Sequence, residues 1–262
     1  MSSSKSALIG HTGFVGSILK ATGAYTHFYN SSNIQDIEDH EFDTITCAGA
    51  PAAMWIANAK PDEDLKNIQS LIRNLKHTCA KHFFLISTIA VFPEPRNVDE
   101  NTPVKLEGLT PYGTHRHELE IFARNHFASS SIARLPALFG PGLKKNALYD
   151  LINLNNLDQI PMDGVFQWYN VSNLFRDLQH CADLPLIHLV TEPISIRTIV
   201  QRFFPDKVNV GRNGNAPNQD IHTIHSNRFG AKKPYIADAK TILEELGRYI
   251  EAEHRGLRHR IA

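Results

Sequence analysis

An α/β domain with a parallel sheet covered on both faces is the architecture this sequence predicts. Two observations carry it. Short apolar runs alternate with amphipathic stretches through the first half of the chain, the pattern of repeated strand–helix units. The run Phe83-Phe84-Leu85-Ile86 is apolar at every position, as befits a strand buried on both sides.

The elements follow in order. Residues 7–9 read as the first strand and 14–19 as the start of the first helix. Residues 25–29 and 44–47 read as further strands. A helix is expected over 64–80, with Leu65, Ile68, Leu71, Ile72 and Leu75 on one face. Residues 83–86 form the doubly buried strand, 111–127 a helix carrying Leu119, Ile121 and Phe122, and 131–135 the next strand. The second half is less regular. Helices are expected over 147–154, 172–181, 194–204 and 239–250, and a strand over 187–190. The Asn- and Gly-rich stretch 209–218 reads as a loop. A boundary after residue 145 gives a nucleotide-binding part, 1–145, and a smaller substrate-binding part, 146–262, interleaved with it.

Composition narrows the function. Lys plus Arg and Asp plus Glu both number 27, a balance that argues against a general nucleic-acid binder, which needs a basic face. Cys47, Cys79 and Cys181 form no zinc spacing, and buried free thiols in a reducing cytoplasm account for them. No apolar run approaches the ~20 residues of a membrane helix, and the polar start Met1-Ser2-Ser3-Ser4-Lys5 is no signal peptide. A cytoplasmic protein without membrane partners is expected. The histidines form no ligand set such as HExxH, so no metal is assigned.

The first chemical motif is Gly10-His11-Thr12-Gly13-Phe14-Val15-Gly16, between a predicted strand and a predicted helix. The first glycine permits the turn, the second admits a pyrophosphate close to the backbone, and the third lets helix and strand pack. The helix start then offers N–H groups and a positive dipole end to phosphates. This predicts a Rossmann-like doubly wound parallel sheet that binds NAD or NADP through Gly10, Thr12, Gly13, Phe14, Val15 and Gly16. After the second strand come Asn30, Ser31 and Ser32, with no carboxylate to grip a ribose hydroxyl and no Arg for a 2′-phosphate. These residues can bond either cofactor, or form a plain polar turn. The missing carboxylate leans the reading to NADP. Ala48 and Gly49, after the third strand, are assigned to the cofactor as well.

Two later segments complete a pattern: Ser87-Thr88-Ile89-Ala90-Val91-Phe92 at the end of a strand, and Pro111-Tyr112-Gly113-Thr114-His115-Arg116 at the start of a helix. With the glycine turn, they resemble the extended short-chain dehydrogenase/reductase family, also called the NAD-dependent epimerase/dehydratase family. The resemblance covers about the first 145 residues well and the rest loosely. It implies Thr88 as the hydroxyl residue, Tyr112 as the catalytic acid/base, Arg116 in place of the family's lysine and Asn67 as the helix asparagine that supports the site. It implies a nucleotide-linked sugar as substrate, and the run Arg134 to Gly142 as the border of the substrate pocket.

The residues support a chemistry of their own. Tyr112 and Arg116 are i, i+4 on one helix and share a face. A tyrosine titrates near ~10, and a fixed cation beside it favours the phenolate. Thr88 could bond a substrate oxygen while Tyr112 exchanges a proton with it and hydride moves to or from the nicotinamide. Both Tyr112 and Arg116 would then also touch the cofactor. The alternative pairs Arg116 with Glu120 on the helix surface.

Three departures from the family matter. Arg116 replaces a lysine, and the two cations are not interchangeable. Ile89 and Ala90 stand where sugar-nucleotide 4,6-dehydratases carry an acidic pair, so water elimination is not expected. Only 14 residues separate Tyr29 from Thr44, where the family has a further strand and helix.

On the substrate side, Lys144, Lys145 and Asn146 could hold a diphosphate, and Trp168 could stack on a base or sugar, or serve the core. Met54, Trp55 and Asn58 could border the cleft, and His115 could carry a proton. A homodimer is compatible with the chain. Two classes remain: a reductase or epimerase, and a non-catalytic dinucleotide sensor.

Overall fold

Six parallel strands make the central sheet of the computed structural model, which describes residues 4–207, 211, 216–232 and 234–261. The loop expected over 209–218 lies mostly outside those residues. The strands are β1 (Ser6–Ile9), β2 (His27–Tyr29), β3 (Glu41–Cys47), β4 (Cys79–Thr88), β5 (Ser130–Leu135) and a strand at Leu186–His188. Their order is β2-β1-β3-β4-β5 with Leu186–His188 at the far edge. Ile9 pairs with both Tyr29 and Cys47, so the carboxyl ends of three strands come level where the chain order reverses. Sheets of this kind bind ligands at that point.

Of the four helices that precede β5, three follow from local signals. α1 (Phe14–Ala21) leaves the glycine turn. α2 (Met54–Ala59) has six residues, too short to show a helical period in sequence. α3 (Pro61–Leu75) begins at a proline followed by Asp62, Glu63 and Asp64, a helix-start signature. It ends earlier than expected, because Cys79 and Ala80 already belong to β4, and Cys79 is exposed rather than buried. α4 (Pro111–His126) agrees with its expected span.

Ile9, Ile45, Phe83, Leu85 and Ile132 from the strands pack with Ile68, Leu71 and Leu75 of α3 and Leu119 and Ala123 of α4. Burying such a Leu, Ile or Phe is worth about 1.5–3 kcal/mol. Between β2 and β3 the chain makes only one 3-10 turn, Ile34–Ile37, so β2 is the edge of the sheet.

The chain divides into two compact units. The first comprises Met1–Glu94, Asn101–Leu135 and Asn173–His188. The second comprises Pro95–Glu100, Pro136–Ser172 and Leu189–Ala262. In the second, β6 (Ala137–Phe139) pairs in parallel with a strand at Trp168–Asn170, and Val165–Phe166 pairs antiparallel with Ile194–Ser195. These two- and three-residue pairings join distant segments and have no local sequence signal. Helices Ala147–Asn153, Ile196–Phe203 and Ala239–Ile261 bury Leu148, Leu151, Ile199 and Leu246 in a core with Phe139 and Trp168. The helix expected from 194 starts at 196, because Ser195 caps it by accepting from the Thr198 N–H at 3.1 Å.

Candidate active site

The glycine turn is built from two glycines that packing demands and one that it does not. Gly10 has φ +82°, and a Cβ there would lie 2.3 Å from the Ala48 carbonyl oxygen. A Cβ on Gly16 would stand 2.0 Å from the Gly10 carbonyl oxygen. Gly13 has φ −75°, and its nearest neighbour to a Cβ would be the Gly10 oxygen at 3.4 Å, ordinary contact. Gly13 and Thr12 are exposed, and Gly13 caps α1 without a side chain. The helical ladder starts with the Ser17 N–H donating to the Gly13 carbonyl at 2.8 Å. The N–H groups of Phe14, Val15 and Gly16 therefore precede it, at the positive end of the dipole. A glycine that packing does not require, at an uncapped helix start, fits a ligand that comes close to the backbone. A pyrophosphate is such a ligand.

Around this turn, the Ala48 N–H donates to the Ile9 carbonyl (2.9 Å), and a Cβ on Gly49 would press on the Ile9 side chain at 2.9 Å. Asn30 Oδ1 accepts from the Ser32 N–H (2.8 Å) and hydroxyl (2.6 Å), so these two side chains bond each other. Ser31 is exposed. No carboxylate stands in residues 30–33, while Lys20 Nζ lies 5.1 Å from the Phe28 ring centre and the His11 ring meets the same phenyl edge-on.

The catalytic candidates meet where α4 approaches the end of β4. Thr110 caps α4, and Pro111 opens it. A Cβ on Gly113 would lie 2.3 Å from the Ala90 carbonyl oxygen, so glycine is what allows this approach. Asn58 of α2 accepts from the Tyr112 N–H at 3.0 Å. Thr88 accepts from the Ala90 N–H at 3.1 Å, and the Thr88 and Arg116 side chains are close enough to the Tyr112 phenol to act on it electrostatically.

Arg116 departs from the surface pairing with Glu120 that was its alternative role. It is buried, and it pairs with Asp64 of α3 rather than with Glu120. Its Nη1 lies 2.6 Å from Asp64 Oδ2 and its Nη2 2.9 Å from Oδ1, and Nη2 also donates to the Pro51 carbonyl. The guanidinium carbon stands 4.1 Å from the centre of the Tyr112 ring. His115 Nδ1 is 2.7 Å from Asp64 Oδ2. Arg116 Nε is buried without a hydrogen-bond partner. Burial pushes the Asp64 carboxyl up, but the bonds from Arg116 and His115 outweigh it and hold the group below the usual range. Tyr112 does not follow the expected direction. Burial pushes its phenol above the ordinary value, and the Asp64 charge adds to this. Arg116 and Thr88 pull downward without overcoming it.

The other candidates differ in burial and bonding. Asn67 is exposed on α3, and Asp64, four residues before Ile68, is the side chain that reaches α4. Asn146 is spent on structure: it has φ 147°, accepts from the Tyr149 N–H at 3.0 Å and donates to the Leu138 carbonyl at 2.9 Å. Lys144 and Lys145 are exposed. Trp168 is a core residue of the second unit, fully buried, with its ring centre 5.8 Å from that of Phe166. Trp55 is exposed to 70%, so it packs into no core.

A second charged cluster lies under Thr88 and was missed in the sequence. Glu120 accepts from the Ser87 hydroxyl (2.6 Å) and from Arg134 Nε (2.9 Å) and Nη2 (2.6 Å). Arg134 Nη1 is 3.2 Å from His188 Nε2. Burial raises the Glu120 carboxyl, but Arg134, His117 and Ser87 bring it down to about 2 from its ordinary 4.5. A folded-state value below the unfolded one gives stability that is complete above pH ~4.5 and fades as pH falls towards ~2. We expect acidification to pH ~3 to remove about 2 kcal/mol through this group. Denaturant melts between neutral pH and pH ~3 check this, and Glu120→Gln should flatten the slope.

No family model matches the chain, and no curated protein matches it in sequence. Solved structures match its fold. The UDP-glucose 4-epimerase of Thermotoga maritima, solved with UDP-glucose, has a TM-score of 0.73 at 15% identity, over 97% of this chain and 99% of that one. RMD from Pseudomonas aeruginosa, solved with NADPH, has a TM-score of 0.73 at 16% identity, over 95% and 98%. A dTDP-4-dehydrorhamnose reductase from Clostridium acetobutylicum has 0.69 at 17% identity, over 95% and 99%. Identities this low speak for architecture. The chain has the Rossmann-like α/β fold of these nucleotide-sugar epimerases and reductases.

Proposed function

We propose that the chain is an NAD(P)-dependent oxidoreductase or epimerase acting on a carbonyl or secondary alcohol, with a nucleotide-linked sugar as the substrate class. The observation that carries this reading is the meeting of Tyr112 with Thr88 at the carboxyl end of a sheet whose first turn keeps an unneeded glycine at Gly13. The amides of Phe14, Val15 and Gly16 would hold the pyrophosphate, and Ala48 and Gly49 would floor the site. When bound, the nicotinamide takes up or supplies hydride. Thr88 orients the reacting oxygen by a hydrogen bond, and Tyr112 gives or takes the proton at its Oη. Neither Ile89 nor Ala90 can act as acid or base, so elimination of water is outside this scheme. We assign cofactor binding to residues 1–145 and substrate recognition to 146–262, with Lys144 and Lys145 as candidate phosphate contacts.

NADP is favoured over NAD. Residues 30–33 carry no carboxylate to repel a 2′-phosphate, and Lys20 is a nearby cation. Calorimetric titration with NADPH and NADH tests both points. The glycine turn supplies a sharper test. Gly13→Ala should fold with an unchanged melting temperature, because its Cβ meets only ordinary contact. Its affinity for either dinucleotide should fall at least about tenfold, since the methyl group blocks the approach. Gly10→Ala should unfold readily by contrast. Full affinity in a folded Gly13→Ala protein would exclude this turn as the cofactor site.

A dinucleotide sensor is the second reading, and the Asp64–Arg116 pair favours it, because a cation so held is not free to serve the cofactor. Absorbance at the reduced nicotinamide band with a panel of nucleotide sugars separates the two: turnover with any of them excludes the sensor.

A further inference from the structure

We propose that Asp64 is a positioning residue that clamps Arg116 against the ring of Tyr112 and so holds Tyr112 in its neutral, proton-donating form, the form that serves the reduction of a carbonyl substrate. This rests on the reading of Tyr112 as the acid/base of a nicotinamide-dependent enzyme. Three geometric facts support it. The guanidinium is held by both carboxylate oxygens of Asp64 and by the Pro51 carbonyl, so its position is fixed from two segments. It covers the ring face at 4.1 Å. The carboxylate and the guanidinium are buried together.

A free cation beside a phenol stabilises phenolate. A cation already neutralised at 2.6 Å and 2.9 Å by a carboxylate does so far less. The charged and titratable groups facing this assembly are Asp64 from α3 and His115 and Arg116 from α4, with the neutral Thr88 from β4 and Asn58 from α2. His115 shares the Asp64 carboxylate at 2.7 Å, which fixes the acid from a second side. Bidentate binding also sets the plane of the guanidinium, as a lysine ammonium could not.

The step balances as follows. A bound reduced nicotinamide would supply the hydride for the new C–H bond at the carbonyl carbon. The C=O π pair moves onto oxygen and takes the Tyr112 Oη proton. The products are the alcohol, the oxidised nicotinamide and a tyrosinate that is reprotonated from water.

The test reads Tyr112 itself and needs no cofactor. Protein carrying carbon-labelled tyrosine is titrated by NMR, with Tyr112→Phe assigning the signal. In the wild type the Tyr112 phenol should titrate above the usual ~10. In Asp64→Asn the phenolate fraction at a given pH should rise at least about tenfold. A wild-type Tyr112 already ionised at neutral pH, or a folded Asp64→Asn protein with an unmoved titration, overturns the proposal. Should Asp64→Asn fail to fold, Arg116→Gln decides instead: it should move the phenol further up, and an unmoved titration in that folded variant overturns the proposal. Calorimetry with NADPH and NADH on the same wild-type sample separates the two ideas. Absent binding removes the enzyme reading, whereas a wrong titration with intact binding removes only the role of Asp64.

Discussion

Arg134→Met should lower the unfolding free energy by about 3–5 kcal/mol, the largest stability loss expected from any single exchange in the first unit. Glu120 is fully buried, and its carboxylate is tied to Arg134 by two bonds of 2.9 and 2.6 Å. Methionine fills much of the stem volume but leaves the carboxylate with only Ser87 and His117. A buried charge without its counter-ion carries most of its desolvation cost. Arg134 also stacks over Phe92, 5.0 Å from the ring centre, and that contact is lost too. The double exchange Arg134→Met with Glu120→Leu should recover most of the loss, since a buried pair is worth little against a well-packed apolar replacement. Denaturant melts of the three variants form a cycle. Equal losses in the single and double variants would mean that packing, not charge, is what Arg134 provides.

Reading such a pair from sequence is hard for a definite reason. The glycine turn was legible because strand, turn and helix are adjacent in the chain and the glycine spacing falls between them. The strands over 83–86 and 131–135 were legible from apolar runs. Charge partners were not, because they are chosen across elements. A signal existed nonetheless. Asp64 precedes Ile68, Leu71, Ile72 and Leu75 by 4, 7, 8 and 11 residues, which puts it on the buried stripe of α3. Arg116, Leu119, Glu120 and Ala123 share the buried stripe of α4 in the same way. Acids and bases on buried stripes must find partners. That rule points away from a surface Arg116–Glu120 pair and away from Asn67. It does not say which acid meets which base, because the rotation and register of α3 against α4 are set by packing. Trp168 shows the opposite limit. An aromatic near a supposed pocket reads the same in sequence whether it faces ligand or core, and only the strand pairing of Trp168–Asn170 decides it.

The largest effect on activity should come from Tyr112→Phe. The exchange keeps the ring, so the Arg116 guanidinium keeps its stacking partner and the Asp64 pair stays in place. Only the Oη goes, and with it the group on which Thr88 and Arg116 act. Cofactor affinity and melting temperature should therefore change little, and kcat should fall by roughly 10²–10⁴, the usual range for one general acid. Thr88→Val makes a useful comparison. It removes the orienting hydroxyl but leaves the proton source, so its loss should be smaller, and Tyr112 should still titrate. A Tyr112→Phe variant that reduces substrate at the wild-type rate would move the proton source elsewhere, and His115 would be the next group to replace. Its Nδ1 is bound to Asp64, so its ring already has the fixed orientation that a proton carrier needs.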